Sequence, residues 1–204
     1  SSWDGGNKYS NLRQMITQEM EKEGTFTDEI RSREIGRNID YKYEDAEYTT
    51  RSYQTNDGGT EYFISLESTD RKVIFGFLRL RIPPKIHTPV FQCLKNKGMI
   101  RELHVYNHLM CVGEKASKKS NNTQHRGTGK SLLKIAEWIA WRSGTNGTAV
   151  ITGEGVRSYY HKRGYRDEDT FVVKKWLINR NALLQCVLLS LFAIIAYFVY
   201  NPLY

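Results

Sequence analysis

The period of the apolar positions changes along this chain, and each change marks an element. Leu12, Met15, Ile16 and Met20 recur at helical spacing, with Ser10 as N-cap and Gly24 as stop, which predicts an amphipathic helix over 8–22. From 41 to 55 aromatic and β-branched residues mix with charges until Asn56-Asp57-Gly58-Gly59, so a strand or two opening the main domain is expected there. Plain alternation follows over 60–67 and 73–81, two strands joined by a polar turn through Asp70, and Pro83-Pro84 ends the second. A strand is predicted over 99–106. The spacing of Leu132, Leu133, Ala136, Ile139 and Ala140 predicts a helix over 131–140. Beyond it a buried strand over 148–153, a short helix over 156–165 ended by Gly164, and a closing strand over 170–174 are expected. Residues 27–36 alternate charge with little to bury and read as a connector; 107–123 read as a polar loop.

Residues 182–200 are apolar apart from Gln185 and Ser190. No polar face survives at any helical phase, and the length suits a helix crossing about 30 Å of hydrocarbon; the alternative is a packed terminal helix. Lys174, Lys175 and Arg180 precede the segment and Asn201-Pro202-Leu203-Tyr204 follow it. The basic side stays cytosolic by the positive-inside rule, which makes the segment a tail anchor. Residues 1–7 are polar and glycine-rich, without the apolar stretch of a signal peptide. Three parts are therefore expected: an N-terminal helix and connector (1–40), one folded domain (41–176) and a transmembrane anchor (181–200). The formal charge of +8 falls on the polar part, which favours anionic cofactors, RNA or an anionic membrane surface as partners. Cys93, Cys111 and Cys186 are widely separated and odd in number, a pattern that suits a reducing compartment and suggests neither a disulfide framework nor a metal site.

The chemistry concentrates in Gln124-His125-Arg126-Gly127-Thr128-Gly129-Lys130, which opens the helix over 131–140. Glycines leave backbone N–H groups unobstructed, and the positive end of the helix then faces an anion, with Arg126 and Lys130 adding charge. The plainer alternative is a glycine turn before an ordinary amphipathic helix.

Gln-x-x-Gly-x-Gly resembles the phosphate loop of the GNAT acetyltransferases. Taken with Arg101-Glu102-Leu103-His104-Val105-Tyr106, Tyr159-Tyr160-His161-Lys162-Arg163-Gly164-Tyr165, Arg31-Ser32-Arg33-Glu34-Ile35-Gly36 and Gly76-Phe77-Leu78-Arg79-Leu80-Arg81, it is similar to the acetyltransferase domain of the Elongator catalytic-subunit family. That resemblance implies an α+β fold of GNAT type, a mixed central sheet flanked by helices, to which the transmembrane helix is added. It also implies acetyl-CoA as cofactor and a part in carboxymethylation of tRNA wobble uridines, with tRNA and other Elongator subunits as partners. By the same resemblance Glu102, Leu103, His104 and Val105 form the strand edge for the acetyl-pantetheine arm. Gln124, Arg126, Gly127, Thr128, Gly129, Lys130 and Ser131 would cradle the pyrophosphate. Tyr160 would protonate or hydrogen-bond the leaving thiolate, Glu102 is the candidate base, and Tyr159 and Tyr165 are assigned to the core. The family's iron–sulfur cluster and S-adenosylmethionine would belong to a radical half missing here, since no cysteine triad is present. Thr27 occupies the neighbourhood of a cysteine that helps the family bind zinc, so no metal is expected. Related parasite proteins carry such tails, which implies a cytosolic domain on the mitochondrial outer membrane rather than the endoplasmic reticulum. The alternatives are a membrane-tethered, non-catalytic binding module and a protein lysine acetyltransferase.

Overall fold

The computed structural model describes residues 11–25, 27–36, 41–86, 88–106 and 127–200, without the side chains of 198–200. In chain order its helices and strands are α1 (Leu12–Lys22), β1 (Ala46–Gln54), β2 (Thr60–Ser68), β3 (Ile74–Ile82), β4 (Gly98–Val105), α2 (Thr128–Arg142), β5 (Gly147–Ile151), α3 (Glu154–His161), β6 (Arg166–Glu168), β7 (Phe171–Lys175) and α4 (Arg180–Tyr200). The strands make one sheet in the order β1-β2-β3-β4-β5-β7-β6. Tight turns join β1 to β2 and β2 to β3, so those pairs are antiparallel, whereas α2 carries the chain from β4 back to a parallel β5.

α2 lies across one face of the sheet. It buries Leu132, Leu133, Ala136, Ile139 and Ala140 against Ile64, Leu78, Leu80, Ile100, Val150 and Val172. Each such leucine or isoleucine contributes about 1.5–3 kcal/mol, and this spacing is what the sequence pattern exposes. The strand assignments at 60–67, 73–81, 99–106, 148–153 and 170–174 all recur within a few residues of their expected ends. β6 was not expected, because Arg166-Asp167-Glu168 has no apolar position to alternate.

The stretch 27–36 is not a solvated connector, and the expectation that it buries little is corrected. Ile35 is 1% exposed and packs with Leu66, Val73 and Phe75. The Ile35 N–H donates to Ile74 O at 3.2 Å, and the Ile74 N–H donates to Arg33 O at 2.5 Å, so the segment is tied to the start of β3 by a short parallel bridge. Its charge also has a buried partner. Glu67 in β2 is fully buried and accepts from Arg33 at 2.6 Å, from Arg51 at 2.6 and 3.0 Å and from the Ser65 hydroxyl at 2.5 Å.

α4 is apolar around its whole circumference, and within Arg180–Tyr197 none of it is buried against the described residues. It is long and apolar enough to cross a membrane. Asn179 Oδ1 caps it by accepting the Ala182 N–H at 2.8 Å. Two bonds fix its start to the far end of α2: Trp141 Nε1 donates to Ile178 O at 3.1 Å, and Arg180 donates to Arg142 O at 3.1 Å.

Candidate functional site

β4 and β5 pair only over Gly98–Ile100 and Thr148–Val150. Beyond Ile100 the two parallel strands part, and β4 continues to Val105 with β3 on one edge and, among the described residues, no strand on the other. The cause lies in the register. β3 and β4 slip between Arg79 and Leu80, with Glu102 opposite Arg79 and Ile100 opposite Leu80, so Arg101 is an extra residue. Such a bulge bends its strand and sharpens the twist. Backbone groups of the Glu102–Val105 stretch are thereby left facing an opening in the sheet, which suits an extended ligand added like a strand.

The start of α2 closes one end of that opening. A Cβ on Gly129 would lie 3.5 Å from Val105 Cγ2, and one on Gly76 would lie 3.3 Å from Val105 Cα and 3.4 Å from Thr128 Cγ2. Among the described residues no side chain caps α2, and no acidic residue stands in its first turn. A helix start of this kind offers its positive end and free N–H groups to an anion. The helix start is held in place by Tyr43, whose hydroxyl meets the fully buried Thr128 hydroxyl at 2.6 Å. Ser131 is half-buried and bonds the Tyr48 hydroxyl, whose pKa burial raises. Lys130 is exposed beside them.

Gly129 is the tightest point of the site. A Cβ there would meet the Tyr159 hydroxyl at 2.7 Å, so only glycine fits without displacing the ring. The Tyr159 hydroxyl is buried and makes no hydrogen bond among the described residues, and its ring carries the Arg163 guanidinium at 3.5 Å. Tyr160 instead packs into the main core at 6% exposure, edge-on to Tyr165, and burial pushes its pKa up to about 12. Both tyrosines thus pack on the main core, Tyr160 more deeply beside Tyr165 and Tyr159 at its edge, where its hydroxyl faces Gly129. Neighbouring helical residues point about 100° apart, and packing against the sheet turned Tyr160 inward.

Glu102 and His104 project from the sheet face opposite α2, while Leu103 packs toward the main core. His104 Nε2 lies 3.0 Å from Glu102, Arg79 lies 3.6 Å from the same carboxylate, and the His104 ring stacks on Phe77 at 5.3 Å. The structure places Val105 beside Thr128 and Gly129, with Gly127, Lys130 and Ser131 at the same start of α2 and Glu102, Leu103 and His104 on the preceding stretch of β4. Gln124 and Arg126 lie outside the described residues. Sequence reasoning missed Tyr43, for which nothing in the pattern gives a signal, and the role of the Tyr159 hydroxyl, which adjacent tyrosines leave ambiguous.

A seven-stranded mixed sheet that splays between β4 and β5 beside a helix start is the GNAT acetyltransferase fold. No family model matches the chain. Among curated proteins it is 37% identical over 177 residues to Elongator complex protein 3 of Schizosaccharomyces pombe, covering 84% of this chain and 31% of that protein. The human protein of the same name is 36% identical over 173 residues, covering 83% and 31%. Among solved structures, an N-terminally deleted Elp3 from the archaeon Methanocaldococcus infernus superposes with a TM-score of 0.68 at 31% identity, covering 83% of this chain and 40% of that one. The chain thus spans about a third of the length of the curated relatives it matches, and over about 83% of its own length it is homologous to Elongator complex protein 3.

Proposed function

We propose that this chain is an acetyl-CoA-dependent acyltransferase domain of the Elongator catalytic-subunit type, contributing to carboxymethylation of tRNA wobble uridines. One observation carries the reading: among the described residues, β4 beyond Ile100 has an edge that no strand pairs and α2 has a start that no side chain caps, and Val105 at the end of that edge lies beside Gly129. A thioester on an extended arm with a pyrophosphate at its end matches those two features in sequence, the arm pairing along Glu102–Val105 and the pyrophosphate lying over Gly127–Ser131 with Gln124 and Arg126. The Tyr159 hydroxyl, kept protonated by burial, is the donor offered to the bound cofactor beside Gly129, the role the motif suggested for Tyr160. Glu102, with His104 at 3.0 Å, is the base where the acceptor is an amine.

Calorimetry of the full chain in detergent with acetyl-CoA tests binding, and free CoA released with and without tRNA tests turnover. Steady tRNA-dependent release is expected; tight binding without release would make the chain a binding module. Tyr159→Phe should lower turnover by about a hundredfold, the low end for a lost proton donor. Tyr160→Phe should leave turnover within about threefold and act on the melting temperature instead. The opposite pattern would return the donor role to Tyr160.

The same reading attaches the chain to a membrane through α4, with the domain on the cytosolic side and the mitochondrial surface favoured by resemblance. A fluorescent protein fused to residues 170–204 should mark organelle membranes and be digested by protease added outside them; a diffuse reporter rejects the anchor.

A further inference from the structure

The end of the domain from which α4 departs carries its own chemistry. Because Trp141 and Arg142 bond Ile178 and Arg180, α4 leaves at a fixed place and not from a loose tether. Around the exit Trp138 is 54%, Ile178 58% and Leu177 103% exposed. Indoles and aliphatic groups held in water at the root of a membrane helix match the layer where headgroups meet acyl chains.

Beside them opens a cleft of about 540 Å³ whose wall includes Lys95, Lys97, Lys175, Asn146, Glu168 and Trp176. It lies at the same end, since Asn146 follows α2 within a few residues and its carbonyl accepts the Trp176 N–H at 3.0 Å. Glu168, the acid among these lining residues, is occupied by Lys175 at 2.8 Å. Lys97 is 7% exposed and holds Asn146 Oδ1 at 2.6 Å and Lys95 O at 3.3 Å, both uncharged. Burial, and then the neighbouring Lys175, lower its pKa, against a smaller opposing pull from Glu168. The Trp176 Nε1–H is buried and makes no hydrogen bond among the described residues. Ammonium groups gathered around one concavity recognise an oxyanion.

We propose that this end of the domain lies against the lipid headgroup layer, with Trp138, Leu177 and Ile178 in the interface and the lysine cleft receiving the phosphate of an anionic phospholipid. The proposal rests on α4 crossing the membrane, and it adds that the folded domain itself is a membrane-contacting surface. Continuity with α4 and the charge of the cleft select lipid over a soluble partner.

The test uses the full chain carrying Trp3→Phe, so that the emission comes from Trp138, Trp141 and Trp176. It is reconstituted into phosphatidylcholine vesicles whose acyl chains are brominated near the glycerol, and flotation confirms insertion. The expected result is that the floating chain is quenched, that Trp138→Phe removes part of the quenched emission, and that quenching rises as phosphatidylserine replaces phosphatidylcholine. Lys97→Met should raise the phosphatidylserine fraction needed for half-maximal quenching about fivefold, the loss of one cation near an anionic surface. Lys95→Gln, at an exposed position, should do the same should Lys97→Met disturb the fold. A chain that floats but is unquenched, or whose quenching ignores phosphatidylserine, overturns the docking while leaving α4 in the bilayer. A chain that fails to float overturns both.

Discussion

Gly129→Asp should abolish acetyl-CoA binding. The new carboxylate would stand in the first turn of α2, where the open helix start is proposed to meet the pyrophosphate. Like charges about 4 Å apart repel by about 4 kcal/mol at the effective dielectric of a protein surface, which is about a thousandfold in affinity. Charge and bulk separate in a second variant. Gly129→Ala places a methyl at 2.7 Å from the Tyr159 hydroxyl, whereas the next ring atom, Cζ, is 3.7 Å away. Adding Tyr159→Phe should therefore restore the melting temperature lost in Gly129→Ala, since overpacking of this kind costs about 1–3 kcal/mol. Calorimetry and thermal melting together read both effects. Unchanged acetyl-CoA affinity in Gly129→Asp would sink the loop assignment.

Glu67→Ala should unfold the domain or lower its stability by about 3–5 kcal/mol, because it strands Arg33 without its buried partner and leaves Arg51 unpaired. Burial pushes the Glu67 carboxyl pKa up, but hydrogen bonds from Arg51, Ser65 and Arg33 overcome it and hold the group at about 2 against an ordinary 4.5. A carboxyl whose folded pKa is lowered contributes stability that is fully present above its unfolded value and lost as pH falls through its folded value. The contribution, about 3 kcal/mol, should therefore persist above about pH 4.5 and disappear between there and pH 2. Melting of wild type and Glu67→Ala across that window should show the two converging at low pH. Parallel curves would mean that Glu67 is not held ionised.

Much of the fold was legible because its signals are local. Alternation in 60–67 and 73–81 and the spacing of Leu132, Leu133, Ala136, Ile139 and Ala140 report one buried face each, and a buried face is what a period records. The start of α2 was legible because the glycines at 127 and 129 stand directly before a regular apolar spacing. What stayed hidden depends on distant partners. Ile35 looked solvated because charges surround it in sequence, yet it pairs with Ile74 and buries beside Leu66. Tyr43 reaches Thr128 across 85 positions. The bulge at Arg101 follows from how β4 meets β3, and no residue type announces it. In α3 the spacing permits either Tyr159 or Tyr160 to lie deeper, and tertiary packing buries Tyr160 while Tyr159 packs at the edge of the same core.

The length of α2 sets how far the cofactor end stands from any bilayer that α4 enters. Its 15 residues span about 22 Å, with the open start at one end and the bonds to α4 at the other. The negative potential of a cytoplasmic leaflet decays over about 8 Å at physiological ionic strength, so nearly three decay lengths fit within a helix standing upright on the surface. A polyanion arriving at Gly129 would then feel almost none of the repulsion that the lipid surface exerts on it, while the lysines at the opposite end feel nearly all of the attraction. On the two proposals above, one helix would let the same domain hold an anionic membrane and an anionic nucleotide without either weakening the other.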